Sequence, residues 1–245
     1  VAICGVTGAY GATTEDILRV DGIDVSQWNG DVDWQKAKAD GQDFVFLRIG
    51  GRGYGEKGSI NIDDNFVLNI EDAIAAGLEV GVYFFSQAIT LGEANEEAES
   101  VLKLIENYEI SLPVVIDFEY ASSNTGLVGR LYNANLSKAE ATAICKQFCD
   151  SVEKSGYTAM VYANKDMLYN GLNATEIASD YMIWLANYTT CTSYEGDYNF
   201  WQYTQNSRIE GIEGNVDKTF WYMEPTVEYA EIDEGISGVG CFVEE

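Results

Sequence analysis

Short apolar runs of strand length alternate along this chain with apolar stripes at helical spacing, and that alternation narrows the choice of folds sharply. Strands are expected at 23–25, 44–49, 80–86, 114–119, 159–163, 182–185, 200–203 and 215–217. Between them, Phe66, Ile70, Ala73 and Ile74 repeat at helical intervals before Gly77, and Ala94, Ala98, Val101, Leu102 and Ile105 form a second stripe. Ser137 and Glu140 have capping-box spacing ahead of Ile144, Phe148 and Val152, with Gly156 as a stop. Strand, helix, strand in repetition implies a parallel sheet with right-handed crossovers. The run Val114-Val-Ile116 reads as a strand buried on both faces. About eight strands favour closure, so the expected class is α/β, an irregular parallel β/α barrel of the TIM-barrel kind in one domain. The barrel is expected over 21–225, with extensions at 1–20 and 226–245. In the second, Thr226 to Asp233 carries β-formers and reads as an extra strand or a linker.

The chain has no histidine in 245 residues. That excludes a Ser-His-Asp or Cys-His machine and a His-ligated zinc site, and leaves carboxylates as the natural acid–base groups. The five cysteines show no Cys-x-x-Cys spacing, and no metal or other cofactor is expected. Cys145 and Cys149 share a helix face and read as buried free thiols. A disulfide between Cys4 and Cys241 would join the ends, but an odd count leaves at least one thiol over. Gly50-Gly51-Arg52-Gly53 lacks the Lys-Ser/Thr ending of a phosphate loop, which argues against nucleotide binding. A net charge of -26, from 40 acidic and 14 basic residues, repels nucleic acid and anionic lipid. No apolar run reaches the roughly 20 residues of a membrane-spanning helix. The sequence begins at Val1 rather than Met, as expected of a processed or excised piece, and a monomer is expected.

In a parallel barrel, functional groups gather at the carboxyl ends of the strands. Asp24 closes the first predicted strand, Asp117 and Glu119 the fourth, and Asp217 the last. Closure brings the first and last strands together, so Asp24 and Asp217 are expected to be neighbours. Two residues apart on a strand, Asp117 and Glu119 point to one side with Phe118 opposite. Carboxylates that close resist joint ionisation: one pKa should rise, leaving a proton donor near neutral pH beside a charged partner. That pair suits the cleavage of a glycosidic bond. Each acid taken singly reads equally well as solvated rim. Four of them at three strand ends, in a chain without histidine, favour the chemical reading.

Tyr83, Phe85, Tyr120, Tyr162, Trp184, Tyr188, Trp201 and Tyr203 sit in or just after predicted strands. Sugar rings stack on such flat faces, and the amides Gln87, Asn164 and Gln202 stand ready for hydroxyls. Strand aromatics more often fill the core, so about half of these are expected to line a cleft.

The blocks Gly22-Ile-Asp-Val-Ser-Gln-Trp-Asn-Gly30 with Asp33-Trp34, Phe46-Leu-Arg-Ile-Gly-Gly-Arg-Gly53, Gly81-Val-Tyr-Phe-Phe-Ser86, Pro113-Val-Val-Ile-Asp-Phe-Glu119, Tyr162-Ala-Asn164, Trp184-Leu-Ala-Asn-Tyr188 and Trp201-Gln-Tyr-Thr204 are collinear with a known pattern. From about Asp21 to Tyr222 the sequence resembles glycoside hydrolase family 25, the Chalaropsis-type lysozymes or N-acetylmuramidases. The resemblance implies cleavage of the β-1,4 bond between N-acetylmuramic acid and N-acetylglucosamine, peptidoglycan glycan strands as partner, and an extracellular or cell-wall location. Glu119 matches the family's general acid, and Asp117 the partner that orients the substrate's acetamido group. Asp24 and Asp217 match its other two acids. Where the family often has Asn two positions after the last acid, this chain has Thr219. Substrate assistance by the acetamido oxygen and direct water attack both stay open. A chitinase-like enzyme is a weaker reading, because the Asp-x-x-Asp-x-Asp-x-Glu strand is incomplete here. A barrel that binds glycan without cleaving it would not need all four acids. On this reading Asp117→Asn should weaken activity and move its optimum toward acid, by removing a like charge beside Glu119.

Overall fold

The computed structural model describes residues 18–223. The expected extra strand near Thr226, and Cys4 and Cys241, lie outside the described residues. The first strands are β1 (Leu18–Val25), β2 (Phe44–Arg52), β3 (Ile60–Ile62), β4 (Glu79–Ser86) and β5 (Val114–Phe118). They are followed by a hairpin of β6 (Ala121–Ser123) and β7 (Gly126–Val128), then by β8 (Ala159–Asn164), β9 (Met182–Ala186), β10 (Phe200–Ser207) and β11 (Val216–Met223). Helices α1 (Trp34–Ala39), α2 (Phe66–Ala75), α3 (Leu91–Ile105), α4 (Arg130–Ala134), α5 (Lys138–Lys154) and α6 (Ala174–Ala178) lie between strands.

The main sheet runs β1-β11-β10-β9-β8-β5-β4-β2, and β1 pairs with β2 to close an eight-stranded barrel, with β3 added at the edge of β2. From β1 through β10 the barrel strands are mutually parallel, but β11 is antiparallel to both of its neighbours. This corrects the expectation of a last parallel strand ending at Asp217. Strand β11 is longer, runs the other way, and has Asp217 near its start. With β11 reversed, that start still lies at the carboxyl-end mouth of the other strands, where Asp217 faces Asp24 in register.

The three predicted amphipathic helices are α2, α3 and α5, and the Ser137–Glu140 capping box is formed at the start of α5. Gly77 and Gly156 end α2 and α5 with positive φ. Cys145 and Cys149 are buried free thiols on α5, and Cys191 is disulfide-bonded.

Two apolar regions hold the barrel. Ile23, Val45, Leu47, Val82, Ile116, Phe118, Val161 and Leu185 face outward under the helices. Phe44, Phe46, Val115, Met160, Trp184 and Phe200 fill the interior. There Phe46 stacks on Trp184 at 4.5 Å, and Phe200 stacks on Trp221 at 5.4 Å. Such rings need room on the neighbouring strands. A Cβ on Gly22 of β1 or on Gly81 of β4 would run into the rings of Phe44 and Phe46, respectively. The glycines that open two sequence blocks are therefore the spaces into which β2 packs. The plug fills the barrel beneath a cleft at its carboxyl end.

Candidate active site

Above the aromatic plug, alternate inward positions turn polar. A cleft of about 450 Å³ is lined by Asp24, Ser26, Trp28, Asn29, Arg48, Tyr83, Phe85, Asp117, Glu119, Asn215 and Asp217. All four sequence-predicted acids converge there. Strand β5 delivers Asp117 near its end, Glu119 follows immediately, and Phe118 is buried on the outer side as the two-residue period requires.

Strand β10 supplies the floor. The Gln202 amide donates to Asp24 Oδ2 at 2.8 Å and to Asp217 Oδ2 at 3.4 Å. Its Oε1 accepts the hydroxyls of Tyr162 at 2.8 Å and Tyr188 at 3.0 Å. One buried amide thus joins two tyrosines to two acids. Burial, then the charge of Asp217, holds Asp24 well above the usual carboxylate range. Burial raises Asp217 to about 6, and a hydrogen bond from Asp24 works against that rise. The pair shares a proton carried mainly by Asp24, the more buried partner.

Glu119 is pushed up to about 7, by burial first and then by the charge of Asp217. Asp117 is raised by burial and by Glu119, with Arg48 pulling the other way. Its Oδ1 has no hydrogen-bond partner among the described residues, so little offsets the cost of burying its charge. Here the structure adds to the sequence reading. The expected coupling between Asp117 and Glu119 is present, and Asp217 adds a further like charge to Glu119.

Of the predicted aromatics, Tyr83 and Phe85 line the cleft, and Tyr162 and Tyr188 reach it through Gln202. Trp184 belongs to the interior plug, where its Nε1 donates to Thr219 at 3.1 Å. Trp201 packs in the outer layer and donates to the Asn187 carbonyl. Tyr120 packs edge-on against Tyr132, and Tyr203 stacks on Phe220. Asn164 accepts from the Met167 amide and holds a turn. Gln87 is buried and donates to the carbonyl of Glu119 at 2.9 Å, so it braces the acid's backbone. Tyr120, Trp184, Trp201, Asn164 and Gln87, all taken as cleft residues from the sequence, are thus supports outside the lining. The reason is shared: barrel strands bury both faces, so an aromatic or an amide on them has several structural destinations.

Ser26, Trp28, Asn29, Arg48 and Asn215 line the cleft but were not singled out from the sequence. Arg48 carried a signal, a lone cation two residues beyond inward-facing Phe46 in an apolar strand. Trp28 sits on a short turn, Gln27–Asn29, closed by a Ser26–Asn29 capping box, and its ring is 78% exposed. The Gln27 amide donates to Asp63, the Gln27 side chain accepts from the Asp64 amide, and Asn29 reaches the Asn215 carbonyl. The turn is therefore tied on both sides while it presents a bare indole at the rim. Among the described residues no cluster of acids or cysteines has the makings of a metal site.

Known lysozymes are among the proteins to which this chain is similar. Lysozyme M1 of Streptomyces globisporus is 24% identical over 212 residues, covering 83% of this chain and 68% of that protein. The autolytic lysozyme of Clostridium acetobutylicum is 23% identical over 197 residues, covering 80% and 54%. The solved structure of the modular autolysin LytC from Streptococcus pneumoniae, with a synthetic peptidoglycan ligand, superposes with a TM-score of 0.70 at 25% identity, covering 83% of this chain and 47% of LytC. The chain thus spans about half the length of the clostridial enzyme and of LytC. The profile described as glycosyl hydrolases family 25 matches residues 23–212, well over half of the sequence, and the chain belongs to that family.

Proposed function

We propose that this protein is a peptidoglycan hydrolase of the muramidase type, cutting the β-1,4 bond between N-acetylmuramic acid and N-acetylglucosamine. The observation that carries the reading is Glu119: a half-buried carboxyl at the cleft wall whose pKa rises to about 7, so that it holds a proton near neutrality. Protonated Glu119 donates to the glycosidic oxygen as the bond to the anomeric carbon breaks. Its carboxylate then takes a proton from the incoming water, which restores the acid.

The positive charge that develops on the sugar needs a partner. Burial holds Asp117 and Asp24 well above the usual carboxylate range, so neither is a ready anionic nucleophile. This favours attack by the substrate's own acetamido oxygen, with Asp117 accepting from the acetamido N–H to orient it. Trp28, Tyr83 and Phe85 give flat faces for sugar rings. The domain that does this work spans about 21–225. A substrate of this kind implies action outside the cell or at the wall.

Mass spectrometry of digested peptidoglycan is the test. Muramic acid at the new reducing ends is the expected result. Glucosamine at those ends, or no new ends at all, would overturn the reading.

A further inference from the structure

Among the described residues, Arg48 is the one cation that lines the cleft. In a chain with 40 acidic and 14 basic residues, a guanidinium beside four carboxyl groups would be expected to pair with one of them. Arg48 does not. Among the described residues it forms no ion pair, and its one hydrogen bond runs from Nε to the Gly50 carbonyl at 3.4 Å. Its guanidinium lies 5.7 Å from the Phe85 ring centroid. Its field lowers the pKa of Asp117 and Tyr83 without touching either.

The contrast with two other arginines is instructive. Arg52, at the end of the same strand, is buried and bonded to Glu97 and Glu96, both at 2.7 Å. Arg130 pairs with Glu93 at 2.6 Å. Each has a carboxylate of its own. Arg48 keeps its terminal nitrogens unengaged in a concave site, held at the stem by Nε and flanked by Phe85. A planar fork with free donors, always charged and partly desolvated, is a receptor for a carboxylate.

Resting on the function proposed above, we infer that Arg48 is a specificity-determining residue: it receives a carboxylate carried on the O-3 side arm of the muramic sugar. The neutral sugars of a chitin-type polymer offer no such group, so Arg48 separates muramic glycan from its uncharged relatives. The carboxylate has two sources: the lactyl group of a stripped strand, or the stem peptide where one is attached.

The experiment measures kcat/KM by release of reducing ends, for the parent, Arg48→Gln and Arg48→Lys. The substrates are glycan strands stripped of stem peptides, strands that retain them, and each of these with its carboxylates converted to methylamides. The parent should favour a carboxylate strand over its methylamide, and whichever strand type shows the preference identifies the source. Arg48→Gln should lose roughly 10- to 100-fold on that strand, the size of a charged hydrogen bond, and under about threefold on the methylamide. Arg48→Lys should recover part of the loss, and melting curves check that both variants are folded. Equal parent rates on acid and amide, or an equal loss by Arg48→Gln on both, overturn the inference while leaving the hydrolase reading intact. An equal loss with a shifted pH profile would make Arg48 a partner of Asp117 instead. If the parent cuts no peptidoglycan strand at all, the functional reading falls and this inference falls with it.

Discussion

Glu119 holds its proton for two unequal reasons, the burial of its carboxyl and, behind it, the charge of Asp217. Each makes a prediction. Its folded pKa of about 7 lies above the ordinary 4.5, so the folded chain binds this proton more tightly than the unfolded one. The associated stability is present below the ordinary value and is lost as pH rises through 7. Glu119→Gln removes that loss. The variant should melt higher than the parent at pH 8, by on the order of 1–3 kcal/mol, and nearly alike at pH 4. It should also lose roughly 10²- to 10⁴-fold in wall lysis, the usual share of a general acid. Thermal melts at both pH values and turbidity clearing measure the two effects. Asp217→Asn removes the second contribution, so the alkaline limb of the rate profile should move to lower pH. An unmoved limb would mean that burial alone sets the proton affinity of Glu119.

Between strand ends and helix α3 lies a buried charge network that braces the cleft from behind. Arg52 of β2 bonds Glu97 at 2.7 Å and the Gly58 carbonyl at 2.7 Å, and Ser86 of β4 donates to Glu97 at 2.6 Å. The next residue, Gln87, reaches the carbonyl of Glu119. Burial raises Glu97 to about 7, while Ser86 and Arg52 hold it down. The stability tied to this proton is therefore greatest at low pH and falls as pH rises through that value. Arg52→Leu leaves the carboxyl buried without its cation. The expected cost is about 3–5 kcal/mol at pH 8, where Glu97 must ionise or take up a proton, and clearly less at pH 5, where it is already protonated. Urea unfolding at the two pH values separates this from a simple packing defect, which would cost the same at both.

Taken whole, the molecule carries a formal charge of -26, yet its proposed substrate is itself an anionic polymer. The acidic exterior opposes approach, and among the described residues of the cleft Arg48 alone favours it. Salt screens charges separated by more than about 10 Å at 0.1 M, which weakens the repulsion of the whole surface while sparing a short contact inside the cleft. The initial rate of clearing intact walls should therefore rise between low and physiological ionic strength. A falling rate would point instead to a cationic wall-binding patch that outweighs the acidic surface.

The amino-acid pattern alone determined the class of fold and the four acids. Helical stripes and apolar runs report local burial, and Asp117-Phe-Glu119 reports its own two-residue geometry, with Phe118 outward as read. Relationships between distant segments were a different matter. That β11 runs antiparallel between β1 and β10, that Asp217 adds its charge to the surroundings of Glu119, and that Trp184 plugs the interior while Trp201 packs outside all depend on which strands become neighbours. A barrel strand is apolar on both faces, so its sequence does not label the inward side. Only closure of the ring assigns each residue to the plug, the outer layer or the cleft, and with it the electric field in which each acid titrates.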